Sequence, residues 1–257
     1  MLKVKSLIVL LIVLSCTFIS CVSKKEVVYF QDENKKHSLI ENSFKTTIKP
    51  NDLLQITVSA LDIEAAKPFN LPAATFATTT NSVVGTPQQQ SYLVDSEGFI
   101  EFPLLGKLKV GGFTRQEIIK LLNNKLSPDY IKNPTINIRI SNFSITVLGD
   151  VKTPGRFIIP NERITILEAI GLAGDLNISG VRTVQVKREE NNQIITYKLD
   201  LKSNSIFTSP AYYLQQNDVV YVEPNKARSQ SASFNQNSGL FISAAGLLIS
   251  IITLIVR

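Results

Sequence analysis

An uncharged, mostly apolar run over residues 239–256, followed by Arg257, constrains this chain more than any other feature. A helix rises about 1.5 Å per residue, so this run spans about 27 Å, close to the hydrocarbon core of a bilayer at about 30 Å. Small and polar residues recur in it at alternating steps of four and three, which is heptad spacing. We therefore predict a transmembrane helix over residues 239–257 with a helix-packing stripe formed by Gly239, Ser243, Gly246, Ser250 and Thr253.

The chemistry of this stripe favours contact between helices. In lipid the hydrophobic effect does not drive helices together, so small residues that allow close approach and hydroxyl groups that bond across the contact hold them together. A helix that lines a water-filled pore would have a more polar face than one made of Gly, Ser and Thr. The stripe thus indicates packing more than conduction, and the alternative is a lone tail anchor whose small residues align by chance.

The N-terminus has the layout of a secretory signal peptide. Lys3 and Lys5 precede an apolar run over residues 7–14, which is shorter than the roughly 20 residues of a typical spanning helix. Ser20-Cys21, after Phe18-Ile19, resembles the lipobox of bacterial lipoproteins, in which the cysteine becomes the acylated first residue. Cys16 fits loosely, and an ordinary signal peptide is the alternative. We predict a lipoprotein signal peptide over 1–20, lipidation at Cys21 and a polar tether over 21–45 with one apolar docking point at 27–30.

Charge and cysteine content exclude several classes of protein. Processing at Cys21 removes Lys3 and Lys5, so the formal charge falls from +6 to +4, a mild excess that is not typical of nucleic-acid binding. The single histidine, His37, lies in the tether, and both cysteines lie in the signal region. No Cys/His dyad, Ser-His-Asp triad or soft-metal cluster can be built from these residues. We predict no enzyme activity, no cofactor and no metal site.

Paired carboxylates and tyrosines remain as candidates for chemistry on a glycan. Asp95 with Glu97, and Glu189 with Glu190, could form a glycosidase-like pair, but they are better explained as turn and strand-end residues. Most of the candidate tyrosines have strand-like or apolar neighbours, for which core packing is the favoured role. The candidates are Tyr92, Tyr130, Tyr197, Tyr212 and Tyr213.

The first half of the polar body reads as one sheet-plus-helix unit. Pro50-Asn51-Asp52 predicts a turn into a strand, and residues 92–103 show two alternating runs around a glycine-containing turn, which predicts a hairpin. Thr114 and Glu117 have capping-box spacing and predict a helix up to residue 126, before a strand over 136–140. Residues 65–90 lack a clear period and predict a long loop.

A second unit of the same kind follows. Strands are predicted over 145–148, 156–159, 183–188, 194–199 and 218–222, with a turn over 149–155. Thr165 and Glu168 repeat the capping-box spacing and open a helix that ends at Gly174. Asn217-Asp218 echoes Asn51-Asp52, which suggests one turn-to-strand device used twice. The fold class predicted is α+β, with two small sheet-plus-helix domains before the C-terminal helix.

An ordered set of motifs in these units resembles the polysaccharide biosynthesis/export family of outer-membrane lipoproteins. It comprises Asn51-Asp52, residues 94–106 with their Asp-Ser-Glu-Gly core, 110–114, 149–155 and 167–174. The resemblance covers residues 46–223 and implies a polysaccharide export domain over 46–142, a soluble-ligand-binding β-grasp domain over 143–223, and a polar linker over 224–238. Relatives commonly carry glycine where this chain has Asn51 and Asp175.

The resemblance also implies a function. Such proteins form rings of identical subunits that export capsular polysaccharide or exopolysaccharide across the outer membrane, with soluble domains in the periplasm and an inner-membrane polysaccharide copolymerase, often carrying a tyrosine kinase, as partner. The alternative is a non-oligomeric periplasmic receptor lipoprotein that binds a glycan or another soluble ligand. A hydrolase that trims the exported glycan is a third possibility.

Overall fold

A computed structural model describes residues 24–32, 46–72, 90–190 and 193–233, together with residues 243, 244, 246–248, 250, 251 and 254. These residues form two sheet-plus-helix units, as the sequence predicts. The described elements are strands β1 (Leu53–Ser59), β2 (Tyr92–Leu93), β3 (Phe99–Phe102), β4 (Gly106–Lys109), β5 (Thr135–Ile140), β6 (Ser144–Gly149), β7 (Gly155–Ile158), β8 (Thr183–Glu190), β9 (Gln193–Asp200) and β10 (Val219–Val222), and helices α1 (Ile63–Ala66), α2 (Arg115–Leu126), α3 (Ile166–Leu172) and α4 (Lys226–Ser233).

The first unit is a small antiparallel sheet covered by α2. Its strand order is β2-β1-β5, and β1 pairs with β5 so that Leu54, Ile56 and Val58 face Ile140, Ile138 and Ile136. These residues alternate with exposed ones, because successive side chains of a strand point to opposite faces. Helix α2 packs on β5 through a fully buried stripe, Ile118, Leu122 and Leu126. The predicted capping box is confirmed, since Thr114 Oγ1 accepts from the Glu117 amide at 3.3 Å and Glu117 accepts from the Thr114 amide at 2.7 Å.

The predicted hairpin over residues 92–103 is wrong, because its two strands do not pair with each other. Strand β2 pairs with β1, whereas β3 pairs with β4 around a turn that contains Pro103 and Leu104. Asp95 and Phe99 do bracket a tight turn, but the strands on either side of it separate into different sheets. Alternation identifies strands; it carries no information about which strand becomes the neighbour.

The second unit is a five-stranded mixed sheet with α3 on it. The strand order is β7-β6-β10-β8-β9, and β6 and β10 run parallel in the middle. Gly149, at the end of β6, is required there because it has a φ of 95° and an added Cβ would lie 1.9 Å from the Val222 carbonyl oxygen. Helix α3 opens with the second capping box, Thr165 with Glu168, also as predicted.

The two positions where the resemblance implies glycine have left-handed backbone here. Asn51 has a φ of 68° and Asp175 a φ of 76°. Asn and Asp tolerate this region better than other residues with side chains. Both turns therefore keep a left-handed backbone with a residue other than glycine.

Residues 24–32 pack against the second unit. Tyr29 donates from its hydroxyl to Asp175 Oδ1 at 2.6 Å, and the Phe30 and Gln31 amides donate to the Leu201 and Lys202 carbonyls at 3.1 and 2.7 Å. The Phe30 ring stacks on Phe207 with 5.7 Å between centroids. Burial and Asp175 together raise the pKa of the Tyr29 hydroxyl well above its ordinary range. The predicted docking point of the tether is confirmed.

Two segments expected to be irregular contain helix. The predicted loop over 65–90 begins with α1 and a short 3-10 helix, and Asn70 ties them to β1, since Val58 N donates to Asn70 Oδ1 at 2.8 Å. The predicted linker over 224–238 begins with α4, whose first turn is capped by Asn225 Oδ1 accepting from Arg228 N at 2.9 Å. In both places a side-chain amide satisfies backbone groups that composition alone does not reveal.

Among the residues that the structure describes, no helix is both long enough and apolar enough to cross a membrane. Eight residues of the predicted spanning segment are described, and all eight are helical. The rest of residues 239–257, and the whole signal peptide with Cys21, lie outside the described residues. The spanning helix thus stays a prediction.

Candidate functional site

The two domains meet where the two Asn-Asp turns lie side by side. Asn142, between β5 and β6, accepts from Leu53 N at 2.9 Å and donates to the Asn51 carbonyl at 2.9 Å. Its own carbonyl accepts from Gln216 Nε2 at 3.0 Å, and Gln216 Oε1 accepts from Ser144 N at 2.7 Å. Through Asn142 and Gln216 the turn that opens β1 is bonded to the turn that opens β10.

A second link across this junction is made by Glu162. Its Oε1 accepts from Ile140 N at 2.5 Å, and its Oε2 lies 3.9 Å from Arg115 Nη1. The backbone of Glu162 has a φ of 55°, a conformation that costs energy for a residue with a side chain. Packing against the first domain holds this residue in place.

Asp52 lies buried at this junction. It is 1% exposed; its Oδ2 accepts from Lys49 N at 2.8 Å, while its Oδ1 has no hydrogen-bond partner among the described residues. Burial raises the pKa of the Asp52 carboxyl to about 6; the amide and charge of Lys49 and the Gln216 side chain oppose the shift, and the Glu162 carboxylate adds to it. A carboxylate in this position is costly at neutral pH.

A cleft of about 690 Å³ opens beside the junction. One wall is the first part of α2 with Arg115 and Lys120, and the opposite wall is residues 161–163 of the second domain. Arg163 is held there, since its guanidinium lies 5.0 Å from the Tyr213 ring centroid and Nη2 donates to the Tyr213 hydroxyl at 3.3 Å. Residues of both domains thus line the cleft.

The residues predicted as sites from the sequence are only partly described. Cys21, Gly239 and Thr253 lie outside the described residues. Ser243, Gly246 and Ser250 are exposed and helical, and Ser250 Oγ donates to the Gly246 carbonyl at 3.0 Å. An added Cβ on Gly246 would meet no atom within 4 Å, which leaves room for a neighbouring chain to approach. Leu247, Leu248 and Leu254 are 62%, 60% and 80% exposed.

The carboxylate pairs have structural roles. Asp95 Oδ1 accepts from the amides of Glu97 and Phe99 at 2.9 and 2.8 Å, so Asp95 is a turn residue as predicted. Glu190, at the end of β8, lies 3.8 Å from Arg188. In the described ranges, no group of three or more His, Cys, Asp or Glu side chains could hold a metal ion.

The tyrosines divide between core and surface. Tyr92 is 5% exposed and stacks on Phe102 with 5.5 Å between centroids, which confirms its predicted core role. Burial raises the pKa of its hydroxyl to about 12. Tyr130 is 52% exposed and edge-on to Phe69, so it lies at the surface.

Sequence reasoning missed the residues of the junction. Asn142, Glu162 and Gln216 carry no motif, and their partners are 22 to 91 residues away along the chain. The echo of Asn51-Asp52 in Asn217-Asp218 was the available signal, because it marked two similar turns whose packing could be compared.

Comparison with known protein families decides the relationship. Residues 41–141 match the family described as polysaccharide biosynthesis/export protein, and residues 144–222 match the SLBB domain. The chain belongs to the polysaccharide biosynthesis/export family. Asn142 of this family member thus stands in the short gap between the two matched regions, where it bonds to both.

Two relatives of this chain carry an explicit name. Both are EPS I polysaccharide export outer membrane protein EpsA, one from Ralstonia solanacearum and one from Ralstonia nicotianae. The first is 26% identical over 177 residues, which cover 64% of this chain and 47% of the relative; the second is 26% identical over 142 residues, 54% and 37%. The chain thus spans less than half the length of these relatives.

Proposed function

We propose that this chain is a subunit of a ring-forming outer-membrane lipoprotein that provides the conduit for export of capsular polysaccharide or exopolysaccharide across the outer membrane. The observation that carries the proposal is the ordered pair of family matches over residues 41–222. The names of the two relatives, as outer membrane export proteins, agree with it. The role proposed is non-enzymatic and needs no cofactor.

Two attachments to the outer membrane are part of the proposal. The first is a lipid on Cys21, a short distance along the chain from Tyr29 and Phe30, which pack against the second domain. The second is a spanning helix over residues 239–257 whose small-residue stripe contacts the neighbouring subunit. The open space at Gly246 and the exposed leucines around it support a helix that has a partner or lipid on every side.

Partners follow from this arrangement. The exported polysaccharide would pass through the ring, and an inner-membrane polysaccharide copolymerase or tyrosine kinase would meet its periplasmic end. The junction of the two domains would keep their relative orientation fixed, which a closed ring of identical subunits requires.

The experiment is native mass spectrometry of the lipidated, detergent-extracted full chain and of a Gly246→Leu/Ser250→Leu variant. We expect a closed oligomer for the unchanged chain and its dissociation in the variant, because two leucines block close approach of helices. A Leu247→Ile/Leu254→Ile variant, which keeps apolar side chains off the stripe, is the matched control and should retain the oligomer. A monomer or dimer for the unchanged chain would contradict the ring and favour the periplasmic receptor lipoprotein.

A further inference from the structure

The cleft between the two domains has the size and position of a ligand site. Its volume of about 690 Å³ falls inside the range of about 300–1,000 Å³ that small-molecule sites occupy, and such sites prefer domain interfaces. Its walls belong to different domains, joined by the Glu162 contacts and the Asn142 bridge. A ligand in the cleft would contact both domains together.

The acidic side chains of the cleft are already bonded within the protein. Glu117 Oε2 accepts from Thr114 N at 2.7 Å and from Thr114 Oγ1 at 2.8 Å. Glu162 accepts from Ile140 N and lies near Arg115. Both carboxylates therefore have partners within the protein, which partly compensate their negative charge.

The basic side chains of the cleft keep N–H donors that remain available to a ligand. Lys120 is exposed, and Arg115 is 56% exposed with one long contact of 3.9 Å to Glu162. Arg163 uses one nitrogen on the Tyr213 hydroxyl, and a guanidinium has five N–H donors. The cleft thus presents cationic donors from both walls, and a ligand that fits them must be rich in acceptors.

A further polar atom on the cleft wall has no partner. Thr46 Oγ1 is buried and has no hydrogen-bond partner among the described residues, although Thr46 lines the cleft. A buried hydroxyl without a partner is costly, and such groups in native proteins call for an explanation. A ligand hydroxyl or carboxylate oxygen at this wall would supply the missing bond.

We infer that the cleft between the domains binds an acidic sugar residue, whose carboxylate contacts Arg115 and Lys120 and whose hydroxyl groups contact Thr46. The ligand identity rests on the proposed export function, because a polysaccharide in transit is the glycan that this chain would meet. Carboxylates pair with guanidinium groups through strong, directional hydrogen bonds. The contact is weak and repeated along the polymer, since an exported chain must also leave.

Binding is tested by isothermal titration of the detergent-solubilised full chain at low salt with tetragalacturonate. The matched ligand is the fully methyl-esterified tetrasaccharide, which keeps the sugar and the linkage but carries no charge. We expect the ester to bind at least about tenfold more weakly, because charge-assisted hydrogen bonds are lost. Equal affinity for acid and ester, or no detectable binding of the acid, would overturn the inference.

Variants locate the site. Arg115→Gln/Lys120→Gln is expected to weaken tetragalacturonate binding by about tenfold, whereas Lys125→Gln, on the same helix but outside the cleft, leaves it unchanged. Lys120→Gln alone keeps the Arg115–Glu162 contact and should give part of the loss. Thr46→Val should weaken binding by about threefold without lowering Tm, since it removes a hydroxyl that has no partner among the described residues. An equal loss in the Lys125 variant would place binding elsewhere.

Different results would contradict the proposed cleft site and the proposed export function. Normal export by cells that lack this chain, together with charge-dependent binding in the cleft, would leave the site standing and remove the export function. A requirement for the chain in export, with acid and ester bound equally, would overturn the site alone.

Discussion

The two Asn-Asp turns share a backbone and differ in how the buried aspartate is neutralised. Asn51 and Asn217 have φ values of 68° and 65°, and each aspartate accepts the amide three residues before it at 2.8 Å. The aspartate amides return the bond to the Lys49 and Gln215 carbonyls at 3.2 and 3.1 Å. The sequence echo therefore reflects one structural device used once in each domain.

The surroundings of the two carboxylates are opposite. Asp218, 0% exposed, forms a two-pronged ion pair with Arg188, with Nε–Oδ1 at 3.0 Å and Nη2–Oδ2 at 2.8 Å. Asp52 is 1% exposed and lies beside the Glu162 carboxylate; within the described residues it pairs with no arginine, its Oδ1 has no hydrogen-bond partner, and the Gln216 side chain only partly offsets the effect of burial on its pKa. Each turn therefore needs a side-chain oxygen that accepts the backbone amide. Tertiary contacts determine whether the charge on that oxygen is neutralised.

The largest effect is expected at the paired turn. Asp218→Asn keeps an acceptor for the Gln215 amide but leaves Arg188 charged and buried without its carboxylate. Breaking a buried ion pair on one side costs about 3–5 kcal/mol. The Tm of the full chain, followed by circular dichroism at pH 7.5, should fall steeply. A fall as small as that of an exposed substitution would mean that Arg188 is neutralised by other groups.

Asp52→Asn should behave in the opposite way. The pKa of Asp52 is raised by burial to about 6 in the folded chain, so its contribution to stability is full below the ordinary carboxyl pKa near 4 and is lost as pH rises through about 6. The unchanged protein should lose about 2 kcal/mol from this group between pH 4 and pH 7.5. The Asn variant should lack this decline and be at least as stable at pH 7.5.

The pH series has its own control. Glu162 and Lys49 are the charged groups that act on Asp52, so Glu162→Gln should lower the midpoint of the decline without removing it. An identical pH dependence in the unchanged chain and in Asp52→Asn would assign the decline to other groups.

The smallest effect is expected where the turns are alike. Asn51→Ala and Asn217→Ala each replace a residue that tolerates the left-handed region with one that does not. The substitution should therefore cost up to about 1–2 kcal/mol of stability. The two substitutions should lower Tm by similar amounts, because the two backbones are nearly the same. Glycine at either position should be tolerated. Unequal effects would show that tertiary contacts, as well as φ, set the cost.

Much of the fold could be predicted because its determinants are local. Thr114 with Glu117 and Thr165 with Glu168 fixed two helix starts, since a capping box needs only four consecutive residues. Alternating isoleucines at 136, 138 and 140 identified β5 for the same reason. The apolar patch at 27–30 correctly indicated that the tether docks.

What could not be predicted depends on distant partners. The hairpin was assigned one strand too early, because both β2 and β3 alternate and their pairing is decided by the rest of the sheet. Arg188 and Asp218 are 30 residues apart, and Asn142 and Asn51 are 91 apart. Neither contact nor the cleft beside Asn142 leaves a pattern in consecutive residues. The cleft exists only in the folded arrangement of both domains.

The most direct test of the central claim measures polysaccharide outside and inside cells that lack this chain, with and without the full chain restored. The account predicts that extracellular polysaccharide is lost without the chain, that polymer is retained inside, and that the full chain restores export while the Gly246→Leu/Ser250→Leu variant does not. Unchanged extracellular polysaccharide in cells without the chain would contradict its role in export.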